Sequence, residues 1–322
     1  MIKTKIENQE LLKHLETVCE DSKDVFLLQD GEARLTVINA THLVNQMRAN
    51  LRLGLLETYV LGQAYIAGLL LSSTVKGNDR VQLMIECGGP IKGISVEAWA
   101  AGAVRGYLLE NPIKLSKPLE SLDTSPLFGP GFITVSKILE GSKEPVSGTV
   151  MLQYGNIAKD LALYFNESEQ TPTLFYISIH FDRSGNVTGA GGLFIQAMPQ
   201  CSSTLLDSLS EKAGHFTNLG EALSRGVSGK DYVDAEFRDY KPQHLANSFV
   251  AFSCPCSKKG FEDYLANLPQ KEKDEILSGT FPLNLECFNC GTIYSFTKSE
   301  TEALFKKEKT DDILCTDSSE PE

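Results

Sequence analysis

The side chains of this sequence best equipped for chemistry are four cysteines. Cys254 and Cys256 stand in FSCPCS and Cys287 and Cys290 in ECFNC, so a CxC pair and a CxxC pair are separated by thirty residues. Soft thiolates select zinc, and four of them close a tetrahedral site with no coordination position left for a substrate. One Zn2+ per chain is therefore the expected cofactor, with Cys254, Cys256, Cys287 and Cys290 as ligands of a structural site. Thiolates are also oxidisable, and neighbouring thiols in each pair can join as disulfides. A disulfide removes two ligands at once, so an oxidant acts on such a site as a chelator would. Four cysteines allow three connectivities, which spacing does not choose between.

Other candidate groups carry less. The histidines His14, His42, His180, His215 and His244 show no HExxH or paired spacing, and no catalytic residue is assigned. FGPGF at 128–132 and GAGG at 189–192 lack the Walker lysine and the GxGxxG spacing, and read as turns. Cys19, Cys87 and Cys201 read as ordinary half-buried or buried residues, and Cys315 as an extra thiol in a polar tail.

The elements that must position the four thiols can be read from periodicity. Between the pairs, Phe261, Leu265, Leu268 and Ile276 suggest a short helical hairpin, and GTIYSF after Cys290 reads as a strand. So small a domain has little core of its own, and metal binding, worth about 10–16 kcal/mol in zinc-finger peptides, would dominate its folding.

Upstream, VFLLQ and ARLTVIN flank the Asp30-Gly31 turn signal as a hairpin. Leu43, Met47, Leu51, Leu55, Tyr59, Ile66 and Leu70 mark a long buried helix, broken or continuous, from about His42 to Ser73. VQLMIE, IKGISVEAW and AVRGYLL predict antiparallel strands, GFITVSKILE and VSGTVMLQ a second sheet-like block, and a helix follows from Asn156. LFYISIHF and VTGAGGLFIQAM surround the turn residues at 182–186, helices are predicted at 202–212 and 218–223, and the pattern weakens over 226–250.

The fold class is α+β: a mixed sheet-and-helix core over 1–200, a helical and metastable linker region over 201–250, a four-cysteine zinc domain over 251–298, and a polar tail over 299–322 expected to be disordered. Net charge is −12, from 42 acidic and 30 basic residues, which disfavours a polyanionic partner. Residues 254–298 carry five lysines against six acidic residues, no basic footprint, so a zinc-ribbon nucleic-acid module is the lesser reading. A thiol oxidoreductase is the other alternative, although its CxxC would open a helix, whereas a strand is expected after Cys290. The apolar run Ala64–Leu71 is short of the roughly 20 residues that span a bilayer, so no membrane partner is expected. MIKTKIENQELLKHLE lacks the apolar region of a secretory signal, which with the clustered cysteines points to the cytoplasm.

Arg105-Gly106-Tyr107 with Asn111-Pro112, GNIAKDLALYFNESEQTPT at 155–173, AGGLFIQAMP at 190–199, and FSCPCS with ECFNC together make the sequence resemble the heat-shock protein 33 family along nearly its whole length. That resemblance implies a non-enzymatic, redox-regulated holdase that works without ATP. It is zinc-bound and inactive when reduced. On oxidation, Cys254 pairs with Cys256 and Cys287 with Cys290, zinc leaves, the C-terminal domain and linker unfold, and unfolding client proteins are held. The resemblance further implies a homodimer when active, assembled through the core domain.

Overall fold

The computed structural model describes residues 1–115, 117 and 121–311, the last five without their side chains. Residues 312–322 of the tail, Cys315 among them, lie outside the described residues. The described residues divide into two compact units: residues 4–253, and residues 1–3 together with residues 254–311.

In the larger unit, α1 (Gln9–Leu15) is capped by Asn8, whose side chain accepts the Glu10 and Leu11 amides. The hairpin β1 (Ser22–Leu28) and β2 (Ala33–Asn39) turns through Gln29–Gly31. The helix expected over 42–73 is two, α2 (Thr41–Leu51) and α3 (Leu55–Leu71), broken where Arg52 turns left-handed at φ 53 and Gly54 starts the next helix extended.

Next come β3 (Arg80–Cys87), β4 (Gly93–Trp99), β5 (Ala103–Leu108), the short α4 (Ser125–Phe128), β6 (Gly131–Ile138) and β7 (Val146–Met151). Asn156 caps α5 (Ile157–Glu167), and β8 (Thr173–Phe181) and β9 (Val187–Ala197) form a hairpin. Three helices, α6 (Ser203–Ala213), α7 (Leu219–Ser224) and α8 (Gly229–Glu236), precede β10 (Gln243–Phe249) and β11 (Ala251–Phe252).

The strands form an antiparallel five-stranded sheet in the order β10-β1-β2-β9-β8, and a six-stranded sheet in the order β11-β5-β4-β3-β6-β7 in which only β11 runs parallel to its neighbour. Helix α3 meets strands of both sheets. Fourteen of its seventeen residues are buried, the signature of a core helix apolar on every side. With its flanking turn (Leu55–Thr74, mean hydropathy 1.3) it is long and apolar enough to cross a membrane, but 83% of the window is buried within the fold.

GAGG is not a turn. Gly189 to Gly192 lie inside β9, where α7 packs so closely that a Cβ on Gly189 would stand 1.9 Å from the Gly220 carbonyl oxygen. Glycine is there to admit a neighbour's backbone.

The segment read as a weakening pattern contains two kinds of structure. Helix α8 joins α6 and α7, the two helices predicted just before the segment, over the five-stranded sheet, with Tyr232, Val233 and Phe237 buried in the same cluster as Leu35, Val37 and Leu193. The start of α8 has a local signal, Ser228 and Asp231, in which the serine hydroxyl accepts the Asp231 amide at 3.0 Å. Strand β10, by contrast, is an edge strand with almost every residue exposed.

In the smaller unit, α9 (Lys258–Ala266) and α10 (Gln270–Ser278) form the helical pair, β12 (Leu283–Glu286) and β13 (Ile293–Phe296) a hairpin, and α11 (Lys298–Asp311) closes the described chain. Helix α11 stands where the disordered tail was expected. A reciprocal cap starts it: Thr297 Oγ1 receives the Glu300 amide at 3.3 Å and Glu300 Oε2 receives the Thr297 amide at 2.7 Å.

Candidate metal centre

Two local structures deliver the cysteines. Cys254 and Cys256 lie in the extended segment before α9, whose first turn is fixed by the Ser257 hydroxyl accepting the Gly260 amide at 3.1 Å. Cys287 and Cys290 sit in the turn between β12 and β13. There the Cys287 carbonyl accepts both the Cys290 amide, at 3.1 Å, and the Gly291 amide, at 2.7 Å. Gly291 takes φ 65, which a glycine adopts without strain. The CxxC thus opens a strand, as the spacing predicts, and lacks the helix-opening position of a thioredoxin-type redox pair.

The four sulfurs converge. Cys254 Sγ is 3.8 Å from Cys287 Sγ, Cys256 Sγ is 3.3 Å from Cys290 Sγ, and all four lie within 4.8 Å of one another. A tetrahedral ion bound at about 2.3 Å by four sulfurs spaces those sulfurs about 3.8 Å apart, so the set fits a divalent soft metal. Among the described residues it is the one group of three or more His, Cys, Asp or Glu side chains whose ligand atoms converge in this way. Cys254, Cys287 and Cys290 are buried, at 4%, 7% and 0% exposure, and Cys256 is half-buried.

Two of these thiols resist ionisation by themselves. The Cys287 thiol is pushed strongly up by its hydrogen bond with Cys254, then by burial and the neighbouring sulfurs, and burial pushes Cys290 up as well. A bound cation reverses that balance, since a coordinating thiol is deprotonated outright.

Two hydroxyls and a remote piece of chain complete the surroundings. Thr292 Oγ1 accepts from Cys290 Sγ at 3.2 Å and from the Ile2 amide at 3.1 Å, while the Met1 main-chain nitrogen donates to the Cys256 carbonyl at 3.0 Å. Tyr294 donates to the same carbonyl at 3.0 Å, and its Oη lies 3.3 Å from Cys256 Sγ. Burial, then the hydrogen bond with Cys256, pushes the phenol up, so it keeps its proton at neutral pH. Sequence reasoning singled out neither hydroxyl. The available signal was alternation after Cys290, which places Thr292, Tyr294 and Phe296 on one face.

The remaining described cysteines lie in the larger unit as free thiols: Cys19 bonds the Gly226 carbonyl at 3.2 Å, Cys201 that of Ser202 at 3.7 Å, and Cys87 is half-buried.

The arrangement of sheets, core helix and thiol cluster has known counterparts. The family model described as Hsp33 protein matches residues 21–297. The chain belongs to the Hsp33 family. Among curated relatives, the 33 kDa chaperonin of Geobacter sulfurreducens is 34% identical over 292 residues, covering 90% of this chain and 96% of that protein. The 33 kDa chaperonin of Desulforamulus reducens is 30% identical over 279 residues, covering 86% and 95%. Among solved structures, the 33 kDa chaperonin (heat shock protein 33 homolog) of Thermotoga maritima superposes with a TM-score of 0.81 at 26% identity, over 91% of this chain and all of that one. The Hsp33 assignment therefore covers both the α+β core and the cysteine-bearing segment.

Proposed function

We propose that this Hsp33-family chain is a non-enzymatic, ATP-independent holdase of the cytoplasm whose four cysteines form a zinc-dependent redox switch. In the reduced state Cys254, Cys256, Cys287 and Cys290 hold one Zn2+ as thiolates. When bound, the ion supplies the cross-link that ties the segment before α9 to the β12–β13 turn.

The observation that carries the reading is the composition of the small unit's interior. Its buried apolar side chains among the described residues are Cys254, Leu265, Cys287, Cys290 and Phe296, so three of the five are the ligands themselves. A unit built this way has little to hold it once the thiolates are lost. Oxidation joins Cys254 to Cys256 and Cys287 to Cys290. Sulfur spacing does not select this pairing, since a tetrahedral set brings every pair close. What favours it is the family likeness carried by FSCPCS and ECFNC.

Opening releases the covalently continuous β10–β11 segment from its edge position and uncovers apolar surface. Non-directional burial of that surface against partly unfolded clients accounts for holding without sequence preference. The active form is a homodimer, and neither nucleic acid nor membrane is a partner.

The test measures released zinc and suppression of client aggregation on one sample before and after hydrogen peroxide. Both should rise together. Zinc loss without suppression, or suppression with zinc retained, would overturn the switch.

A further inference from the structure

Two of the hydrogen bonds that border the thiol cluster come from residues far upstream. The Met1 main-chain nitrogen donates to the Cys256 carbonyl at 3.0 Å, and the Ile2 amide donates to Thr292 Oγ1 at 3.1 Å. Residues 1–3 belong to the small unit with the cysteines, and they precede the stretch 21–297 that the family model matches. Their two contacts fall on different ligand-bearing segments, Cys256 on the one before α9 and Thr292 on the one that enters β13. They therefore span the same two pieces of chain that a bound ion cross-links. The Ile2 side chain is 65% exposed, so apolar burial does little to hold it.

Thr292 connects this segment to a ligand. The residue is buried, and besides receiving the Ile2 amide its Oγ1 stands 3.2 Å from Cys290 Sγ and 3.5 Å from the Ile2 carbonyl oxygen. A hydroxyl has one proton to give and two lone pairs that accept. A metal-bound Cys290 is a thiolate and only accepts, so the Thr292 proton goes to sulfur while a lone pair receives Ile2. Hydrogen bonds in such a chain polarise one another, and the Ile2 amide strengthens the bond to the thiolate. A sulfur without its charge accepts weakly, and the hold on Ile2 loosens with it.

We propose that residues 1–3 are a strap that docks on the metal-loaded small unit through the chain of hydrogen bonds Ile2–Thr292–Cys290 and slows the departure of the ion. The proposal rests on the metal-binding reading above. By linkage the effect is reciprocal: the docked strap raises metal retention, and the bound metal holds the strap down. Loss of the metal frees the N-terminal segment in the same event.

The test uses reduced protein loaded with one zinc per chain and an excess of a chromogenic chelator, with no oxidant. A variant lacking residues 1–3, with Thr4 as its first residue, keeps every side chain of the thiol cluster. It should release zinc about tenfold faster than wild type, the scale of two net hydrogen bonds. Thr292→Val in the full chain should also accelerate release about tenfold. Thr292→Ser, which keeps the hydroxyl, should restore the wild-type rate. On the shortened chain Thr292→Val should accelerate release by less than it does on the full chain, because the relay is already broken. The converse is read on full-length wild type labelled with 15N-isoleucine: the Ile2 amide should have an order parameter of about 0.85 with zinc and below about 0.6 after chelation. A wild-type release rate in the shortened chain, fully additive effects of the two changes, or an Ile2 amide equally mobile in both states overturns the strap. If Thr292→Val fails to hold one zinc per chain, the shortened chain and the Ile2 amide decide the matter. Reduced wild type that binds no zinc overturns the metal reading itself and this proposal with it.

Discussion

In the larger unit, helix α3 alone buries fourteen residues and meets both sheets, and the cluster over the five-stranded sheet adds a further layer from β1 to α8. In the smaller unit five apolar side chains are buried among the described residues, and three of them are cysteines. The first kind of interior is stabilised by area removed from water, at roughly 25 cal/mol per Å2, and is insensitive to solution redox state. The second depends on the protonation and oxidation state of its own core. On the proposed reading, one chain would carry a scaffold that persists under oxidising conditions and an appendage that does not, which is the asymmetry a switch requires.

The largest expected effect separates the units outright. Chelating the metal from reduced protein should abolish hydrogen-exchange protection in α9, α10, β12 and β13, a loss on the scale of the about 10–16 kcal/mol of structural zinc binding. Amides of α3, β3 and β4 should stay protected. Retained protection in the β12–β13 hairpin would show that the small unit has a sufficient core without its ion, and the contrast would fail.

The next effect comes from the opposite side. Phe237 is fully buried, against Phe216 at 5.5 Å and Tyr240 at 6.1 Å, with the Lys212 ammonium 5.7 Å from its ring centroid. Phe237→Ala should cost about 3–5 kcal/mol in denaturant unfolding of the larger unit. The cost should be the same with metal bound or removed. A cost that appears only in metal-free protein would mean that the two interiors are energetically coupled.

What the sequence made legible follows the same division between local and distant. The four cysteines were readable because metal-ligand spacing is a local signal, and α3, the β3–β5 strands and the α5 cap at Asn156 were readable because periodicity and capping are local too. Helix α11 was missed although its Thr297–Glu300 cap is equally local, because the polar composition that follows pointed to disorder. The glycines of β9 were misread because their neighbour, α7, lies some thirty residues away and no periodicity announces a close backbone approach. Strand β10 was invisible for a different reason: QHLANSF is exposed on both faces, and an edge strand with no buried face leaves no alternation to detect. Least legible was the joining of Ile2 to Thr292 and of Met1 to Cys256, across most of the chain's length.

The smallest effect sharpens the comparison at the segment that leads to the cysteines. Strand β10 pairs with β1 alone and leaves Leu245 and Phe249 exposed, so side-chain burial does little to hold it. Its polar anchor is Asp24 on β1, which is buried and whose Oδ1 receives His244 Nε2 and Asn247 Nδ2, both at 2.8 Å, while Oδ2 receives the Ser22 hydroxyl at 3.0 Å. Asp24→Ala strands those donors at a site that water only partly reaches, and removing one partner of such a bond costs about 1–3 kcal/mol. Because β10 is an edge, the cost should fall on local opening. Exchange at 243–249 should speed by about tenfold or more, while the unfolding midpoint of the sheet moves little. The same variant should begin client binding at a smaller extent of oxidation, since less of the edge strand's stability remains to be lost. Unchanged exchange over 243–249 would mean that the backbone ladder to β1 suffices to hold the strand. The boundary between persistent scaffold and conditional appendage would then lie beyond β10, at the cysteines themselves.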